Sequence, residues 1–149
     1  MSGVHIPGSA GRILIVDDAN LVRMFYGEAL RGVGYEVDEA LNGLEALEKL
    51  LIAPVGLIVL DVNMPRMDGM TFLRTLRRAD LPLAATPVLV TSTEAAPRDA
   101  ELARAAGANF YLVKPVLPAA LISYAALLYS APAVGADGEP ARTSDMTSA

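Results

Sequence analysis

The chain contains no cysteine and no tryptophan, and its only histidine is His5. The absence of cysteine excludes disulfides, thiolate nucleophiles and thiolate zinc sites, and a single histidine excludes a metal site rich in imidazole. No apolar run approaches the ~20 residues that a membrane-spanning helix needs, and residues 1–11 lack the apolar segment of a signal peptide. We therefore expect a soluble, cytoplasmic protein without membrane insertion.

Positive charge is also scarce, because lysine and arginine number 12 against 17 aspartates and glutamates, for a net charge of -5. This balance disfavours non-specific binding to nucleic acid. The 149 residues are 53% apolar and 19% charged, which is enough apolar material for one domain with its own core. We expect the domain over residues 12–131, after a flexible leader at 1–11 and before a disordered tail at 132–149 that is poor in large apolar residues.

Five apolar segments alternate with five helical patterns inside this domain. We predict strands over 12–16, 35–39, 55–60, 88–90 and 110–113. Helices are predicted to end near residues 31, 51, 78, 106 and 130, the first two capped by Asn20 and Asn42. Pro97 and Gly107 fit the first turn and the end of the fourth helix. Such alternation predicts an α/β fold, a doubly wound five-stranded parallel sheet with helices on both faces.

Polar side chains stand where four of these strands end. In an open parallel α/β sheet, the carboxyl ends of the strands form one edge, and ligands bind there. The side chains so placed are Asp17, Asp18, Asp61, Thr91, Ser92 and Lys114. Two acidic groups, a hydroxyl and an ammonium at one edge would together hold a divalent cation and a phosphoryl group.

Each of these residues also has an ordinary structural interpretation. Asp17 and Asp18 are common turn residues, although two adjacent acids repel and would favour a hard cation such as Mg²⁺. Asp61 follows a buried apolar strand, where a carboxylate needs a partner or its pKa rises. Lys114 is one of only two lysines beside ten arginines, which favours a role for a compact point charge. Thr91 alone is a normal strand residue.

Taken in order, the motifs resemble the receiver domain of two-component response regulators over residues 12–130. The resemblance is strongest to CheY-type chemotaxis regulators and implies a flavodoxin-like (CheY-like) fold. The motifs that carry it are Val16-Asp17-Asp18, Leu60-Asp61-Val62-Asn63-Met64-Pro65, Met67-Asp68-Gly69, Val90-Thr91-Ser92 and Val113-Lys114-Pro115.

The resemblance assigns a role to each site residue. Asp61 is the implied phosphoacceptor, and Lys114 contacts the phosphoryl group from a cis peptide bond with Pro115. The implied ligands of Mg²⁺, which Mn²⁺ can replace, are the carboxylates of Asp17, Asp18 and Asp61 and the backbone carbonyl of Asn63. Catalysis would consist of positioning and of offsetting negative charge in the transition state.

Thr91 and Tyr111 are the switch residues that the resemblance implies. Thr91 would move toward the phosphoryl group, and the Tyr111 ring would turn into the vacated space, which is a two-state response to a local charge. Val116 departs from the usual aromatic residue. The interval from Thr91 to Lys114 is one residue longer than usual, so either Thr93 or Glu94 takes the position two past the switch hydroxyl.

The implied function is that of a stand-alone receiver that accepts a phosphoryl group from a histidine kinase or histidine phosphotransfer protein. It would catalyse only its own phosphorylation and dephosphorylation, and would signal by protein contact. Alternatives are a phosphate shuttle or sink, a receiver that is not phosphorylated, and a flavodoxin-like protein that binds FMN. The FMN alternative requires a phosphate loop where Asp17-Asp18 would repel the ligand.

The last predicted helix, residues 118–130, carries no charge at all. A surface helix normally keeps a polar face, so we expect part of this helix to be an exposed apolar surface. Such a surface usually marks a partner. We expect contact with a downstream protein or a second copy through Ile122, Tyr124 and Leu127, unless the tail covers them.

Overall fold

The computed structural model describes residues 9–64 and 68–132. Its strands, β1 to β5 in chain order, are Gly11–Val16, Tyr35–Ala40, Leu57–Asp61, Val88–Ser92 and Phe110–Val113. Its α-helices, α1 to α5, are Asn20–Gly32, Gly43–Ile52, Gly69–Arg77, Pro97–Ala106 and Pro118–Leu128, and a 3₁₀ turn covers Leu83–Ala85. Within the described ranges, no helix is long and apolar enough to cross a membrane.

All five strands are parallel and follow the order β2-β1-β3-β4-β5. The chain therefore winds outward from β1 in both directions, and the order reverses between β1 and β3. Such a reversal leaves a crevice at the carboxyl ends of the two strands, which is where ligands bind in open α/β sheets. The predicted flavodoxin-like, doubly wound sheet with five helices is confirmed.

The core has two layers, one on each face of the sheet. Ile13 and Ile15 of β1 pack with residues of α1 and α5, whereas Leu14 and Val16 pack with residues of α2, α3 and α4. All four side chains are fully buried. Since side chains alternate along a strand, the residue that follows Val16 is directed toward the α1 and α5 face. This parity decides where the polar residues at the strand ends lie.

The two predicted asparagine caps have different outcomes. Asn42 caps α2 as predicted, since its side chain accepts a hydrogen bond from Glu45 N at 2.9 Å. Asn20 does not cap α1, because Ala19 occupies the cap position and makes no side-chain hydrogen bond there. The Asp17 carboxylate forms this turn instead by accepting a hydrogen bond from Ala19 N at 2.9 Å.

The start of β1 and the end of α5 meet at the edge of the sheet where the strands begin. Helix α5 ends at Leu128 rather than at the predicted residue 130, because Tyr129 turns back and its hydroxyl accepts a hydrogen bond from Arg12 N at 3.2 Å. Ser130 N then donates to Gly56 O at 3.0 Å. Strand β3 begins at Leu57, so residues 55 and 56, which were predicted to belong to this strand, precede it. Residues 1–8 and 133–149 lie outside the described residues, so the flexible leader and disordered tail stay predictions.

Replacing Gly56 should destabilise the fold. A Cβ atom at Gly56 would lie 2.2 Å from Tyr129 Cζ, whereas a Cβ at Gly32 would have nothing within 4 Å. We expect Gly56→Ala to lower the free energy of unfolding by about 1–3 kcal/mol through overpacking, and Gly32→Ala to be neutral or stabilising by up to about 1 kcal/mol. Urea denaturation measures both, and equal stability of the two variants would contradict the packing assigned to Tyr129.

Candidate functional site

Three carboxylates meet at the crevice between β1 and β3. Asp17 and Asp61 are 1% and 3% exposed, whereas Asp18 is exposed. One carboxylate oxygen from each of the three lies within 4.8 Å of those of the other two. The alternation of side chains along a strand explains this arrangement. Asp17 lies two residues after Ile15 and Asp61 two residues after Val59, so both carboxylates lie on the same face of the sheet.

Lys114 reaches this cluster from the end of β5. Its ammonium nitrogen lies 3.0 Å from Asp17 Oδ2 and 3.5 Å from Asp61 Oδ1. The Lys114–Pro115 peptide bond is cis, as the resemblance implied. One ammonium therefore faces two buried carboxylates, and the three carboxylates with Lys114 leave a local charge of about -2 when ionised.

The Asp61 carboxyl group is held in an environment that raises its pKa above its ordinary value of 3.8. Burial is the largest cause, and the neighbouring Asp17 and Asp18 charges act in the same direction. The Asn63 backbone N–H, which donates to Asp61 Oδ1 at 3.0 Å, and the Lys114 ammonium lower the pKa and offset part of this effect. An additional cation at the cluster would therefore stabilise the ionised form of Asp61.

The chemistry of these donors fits a hard divalent cation. Three carboxylates that converge from two strand ends offer oxygen ligands, and Asp18 stays open to solvent, as suits an ion such as Mg²⁺ that retains waters. Asp17, Asp18 and Asp61 would hold the ion. Asn63 begins the loop after β3, and the role of its carbonyl as a further ligand stays a prediction.

Thr91 provides a hydroxyl on the same face as Asp61 that makes no hydrogen bond to any described residue. Thr91 pairs with Asp61 in the β3–β4 register, so the two side chains lie on the same face. Its Oγ1 is buried without a hydrogen-bond partner in the part of the chain that the structure describes. An unsatisfied buried hydroxyl costs about 1–3 kcal/mol. A phosphoryl oxygen on Asp61 would accept a hydrogen bond from this hydroxyl. The buried Thr91 hydroxyl is therefore a second observation, besides the carboxylate cluster, that fits a phosphoryl site.

The loop after β3 is held close to the start of α3. Asp68 caps α3 by accepting a hydrogen bond from Thr71 N at 2.8 Å. A Cβ atom at Gly69 would lie 2.6 Å from the backbone oxygen of Asp61, so this approach requires glycine. Residues 65–67, which complete the motifs quoted for the resemblance, lie outside the described residues.

Two further loop contacts surround the predicted switch residues. The Tyr111 hydroxyl donates to the backbone carbonyl of Glu94 at 2.6 Å, and the half-buried ring borders a cavity of about 190 Å³ beneath the β4–α4 loop. Ser92 Oγ and Thr93 N lie 3.3 Å from Asn63 Oδ1. Thr93 therefore faces the loop after Asp61, whereas the Glu94 carbonyl accepts the hydrogen bond from Tyr111.

An apolar groove beside Lys114 was not predicted from the sequence. It has a volume of about 610 Å³ and runs between α1 and the loop that joins β5 to α5. Leu21, Met24 and Phe25 are 72%, 48% and 50% exposed along it. The sequence could have indicated this groove, because these three apolar residues fall outside the face of α1 that packs on the sheet. The other lining residues are Val22, Tyr26, Glu28, Thr93, Pro115 and Val116.

The uncharged α5 places only part of its apolar surface in the core. Leu121 and Ala125 are fully buried, whereas Leu127 is 77% exposed. Ile122 and Tyr124 are half-buried, and the Tyr124 ring stacks on Phe110 with centroids 4.5 Å apart. Leu127 is therefore the most open of the three residues predicted to contact a partner.

With this geometry in hand, the chain can be placed among known proteins. The family model for the response regulator receiver domain matches residues 13–126, and the chain belongs to that family. It is a CheY-like receiver domain of two-component signalling. Membership in the receiver family rules against the alternative that the chain is a flavodoxin-like protein that binds FMN.

Solved structures support the same assignment. Chemotaxis protein CheY4 of Vibrio cholerae is 36% identical, with a TM-score of 0.73 over 78% of this chain and 97% of that one. A receiver domain of a histidine kinase from Syntrophus aciditrophicus is 33% identical, with a TM-score of 0.73 over 80% of this chain and 89% of that one.

Curated relatives are longer proteins. The gliding motility regulatory protein of Myxococcus xanthus is 36% identical over 76% of this chain but only 14% of its own length. The transcriptional regulatory protein PrrA of Mycobacterium leprae is 38% identical over 77% of this chain and 48% of its own length. The chain thus spans less than half the length of each, and the shared part is the receiver.

The raised pKa of Asp61 predicts how one substitution changes stability with pH. Because the folded state binds a proton on Asp61 more tightly than the unfolded state, ionisation of Asp61 costs stability as pH rises above 3.8. Without divalent cations, we expect Asp61→Asn to be more stable than wild type at neutral pH, with the difference vanishing below pH 3.8. Urea denaturation in EDTA across this range measures it, and a variant less stable than wild type at neutral pH would contradict the electrostatics.

Proposed function

We propose that the protein accepts a phosphoryl group on Asp61 in a Mg²⁺-dependent reaction and signals through phosphorylation-dependent protein contact. The observation that carries the proposal is the convergence of Asp17, Asp18 and Asp61 with the Lys114 ammonium and with the Thr91 hydroxyl, which has no hydrogen-bond partner in the described ranges. Family membership supports it, because receiver domains act with histidine kinases or phosphotransfer proteins and with downstream targets.

The reaction transfers a phosphoryl group from a histidine of the donor. A carboxylate oxygen of Asp61 attacks phosphorus, the P–N bond breaks, and the imidazole keeps the bonding electron pair and takes up a proton from solvent. When bound, Mg²⁺ would offset negative charge on the phosphoryl oxygens. Lys114 contributes a second positive charge, 3.5 Å from Asp61 Oδ1 before transfer. Hydrolysis of the acyl phosphate returns Asp61.

Thr91 and Tyr111 would carry the signal away from the site. A new phosphoryl group brings a charge of about -1.5 to -2 and strong acceptor oxygens, and the Thr91 hydroxyl is free to donate to one of them. The β4–α4 loop would move when the Tyr111 ring turns, because the Tyr111 hydroxyl donates a hydrogen bond to the Glu94 carbonyl in that loop. The surface formed by α4, β5 and α5 would then differ between the two states, and Leu127 on α5 is an exposed apolar part of it.

The donor would dock on the groove beside Lys114. This groove opens next to the ammonium that binds Asp61, and its rim carries the exposed apolar side chains of Leu21, Met24 and Phe25. Tyr26 adds no charge to this wall, because a phenol is protonated at neutral pH, and burial beside Asp17 and Asp61 raises its pKa further, to about 12. An apolar helical surface that presents a phosphohistidine fits such a groove. A phosphate shuttle between two histidine proteins would use the same groove in both directions.

Labelling with a small donor tests the acceptor. We expect acetyl phosphate to label the protein only with Mg²⁺ or Mn²⁺ present, Asp61→Asn to abolish labelling, and Asp18→Ala to shift half-saturation to higher metal concentration. Asp80→Asn is the matched control, since Asp80 is an exposed carboxylate between α3 and β4. Undiminished labelling of Asp61→Asn would refute the acceptor, and absence of labelling in wild type would favour a receiver that is not phosphorylated.

A charged substitution in the groove tests donor docking. We expect Phe25→Asp to slow transfer from a phosphorylated histidine kinase or phosphotransfer domain by about tenfold or more, as loss of a buried aromatic contact does at interfaces. Labelling by acetyl phosphate should be unchanged, because Phe25 lines the groove and is not one of the clustered carboxylates. Leu127→Asp is the control: Leu127 lies near the end of α5 that points away from the site, so transfer should proceed as in wild type. If the rate of phosphoryl transfer is the same for Phe25→Asp and Leu127→Asp, the donor docks on another surface.

A further inference from the structure

Arg23 is a buried charged residue that no part of the reaction described above uses. It lies in the first turn of α1 and is 6% exposed. Its guanidinium makes three hydrogen bonds to three different segments: Nη1 to the Asp17 backbone carbonyl at 2.7 Å, Nε to Glu39 Oε1 at 3.1 Å, and Nη2 to Asn20 Oδ1 at 3.0 Å. One side chain thus ties the end of β1 to the start of α1 and to β2.

These bonds complete the fixation of Asp17. Its Oδ1 accepts a hydrogen bond from Ala19 N, its Oδ2 pairs with Lys114, and its backbone N–H donates to Ala40 O. The Asp17 carbonyl is the remaining polar group of this residue, and Arg23 holds it at 2.7 Å. Asp18 follows directly, so the orientation of both carboxylates depends on a peptide that Arg23 anchors.

The charge of Arg23 does not explain this placement. Glu39 lies 3.1 Å from Arg23 and 3.5 Å from Arg31, so it offsets part of the charge of each. The ammonium that pairs with the Asp17 and Asp61 carboxylates is that of Lys114. What Arg23 provides is geometry, because the planar guanidinium fork directs its donors along fixed lines, which a lysine ammonium does not.

We propose that Arg23 is a positioning residue that sets the metal affinity of the site by holding the Asp17–Asp18 peptide, an inference that rests on the proposed Mg²⁺ site. Groups that orient metal ligands from behind typically change metal affinity by about 10–100-fold when replaced. Arg23→Lys keeps the charge but loses the fork. It should weaken metal binding while leaving the acceptor and Lys114 in place.

Arg77 offers a matched control. It is also a partly buried arginine, and its guanidinium donates to the carbonyls of Ala84, Thr86 and Gly107 at 2.6–3.0 Å. These acceptors precede β4 and β5, at the sheet edge opposite the carboxylates. Arg77→Lys should therefore lower stability without altering the metal site, which separates positioning from a general loss of packing.

The experiment measures the dissociation constant of Mn²⁺ by the electron paramagnetic resonance of the free ion, for wild type, Arg23→Lys and Arg77→Lys, with urea denaturation in EDTA alongside. We expect about tenfold or weaker binding for Arg23→Lys and wild-type binding for Arg77→Lys. With acetyl phosphate, the Mn²⁺ concentration at half-maximal labelling should rise for Arg23→Lys, while the labelling rate at saturating Mn²⁺ stays near wild type.

Wild-type affinity of Arg23→Lys, or an equal loss in Arg77→Lys, would overturn the inference. If wild type itself binds no Mn²⁺, the proposed metal site fails rather than the role of Arg23. Should Arg23→Lys not fold, Glu39→Gln removes the carboxylate that pairs with Arg23 and with Arg31. Asp38→Asn is the charge-matched control on the same strand, because Asp38 pairs with Lys49 instead. Glu39→Gln should weaken Mn²⁺ binding more than Asp38→Asn, and equal effects of the two would overturn the inference.

Discussion

The repulsion between carboxylates at the carboxyl edge of the sheet is the constraint on which the site depends. Asp17 and Asp61 are almost fully buried, and their only close ammonium is Lys114 among the described residues, 3.0 Å and 3.5 Å away. Burying two such charges around one countercharge is unfavourable unless hydrogen bonds and further cations compensate. The pKa of Asp61 is raised first by burial and then by the neighbouring Asp17 and Asp18 charges, and binding of a divalent ion would relieve the repulsion between these charges.

The rest of the fold places and holds these charges. The parallel register and the alternation of side chains direct Asp17, Asp61, Thr91 and Lys114 to one face at one edge. Gly69 lets α3 approach the backbone of Asp61, and Arg23 holds the backbone of Asp17. The apolar core packs against both faces of the sheet and supports this frame.

Much of this architecture could be predicted from the sequence because its signals are local. Apolar runs that end in polar residues mark strands and their edge, and Asn42, Pro97 and Gly107 mark helix ends by their own backbone chemistry. The prediction of Asn20 as a cap was wrong because the neighbouring Asp17 carboxylate forms the turn that leads into α1, and the Asn20 side chain accepts a hydrogen bond from Arg23 instead. The end of α5 was wrong because Tyr129 bonds to Arg12, which is 117 positions away. The groove on α1 and the contacts of Arg23 likewise depend on the packing of separate segments, which no local pattern encodes.

The most direct test of the central claim is to identify the residue that carries the phosphoryl group. Borohydride reduces an acyl phosphate of aspartate to homoserine, and peptide mass spectrometry then locates the converted residue. Protein treated with acetyl phosphate and Mg²⁺ should show homoserine at position 61 and nowhere else, and protein treated in EDTA should show none. Conversion at Asp17 or Asp18, or at position 61 without divalent cation, would contradict the account of this site.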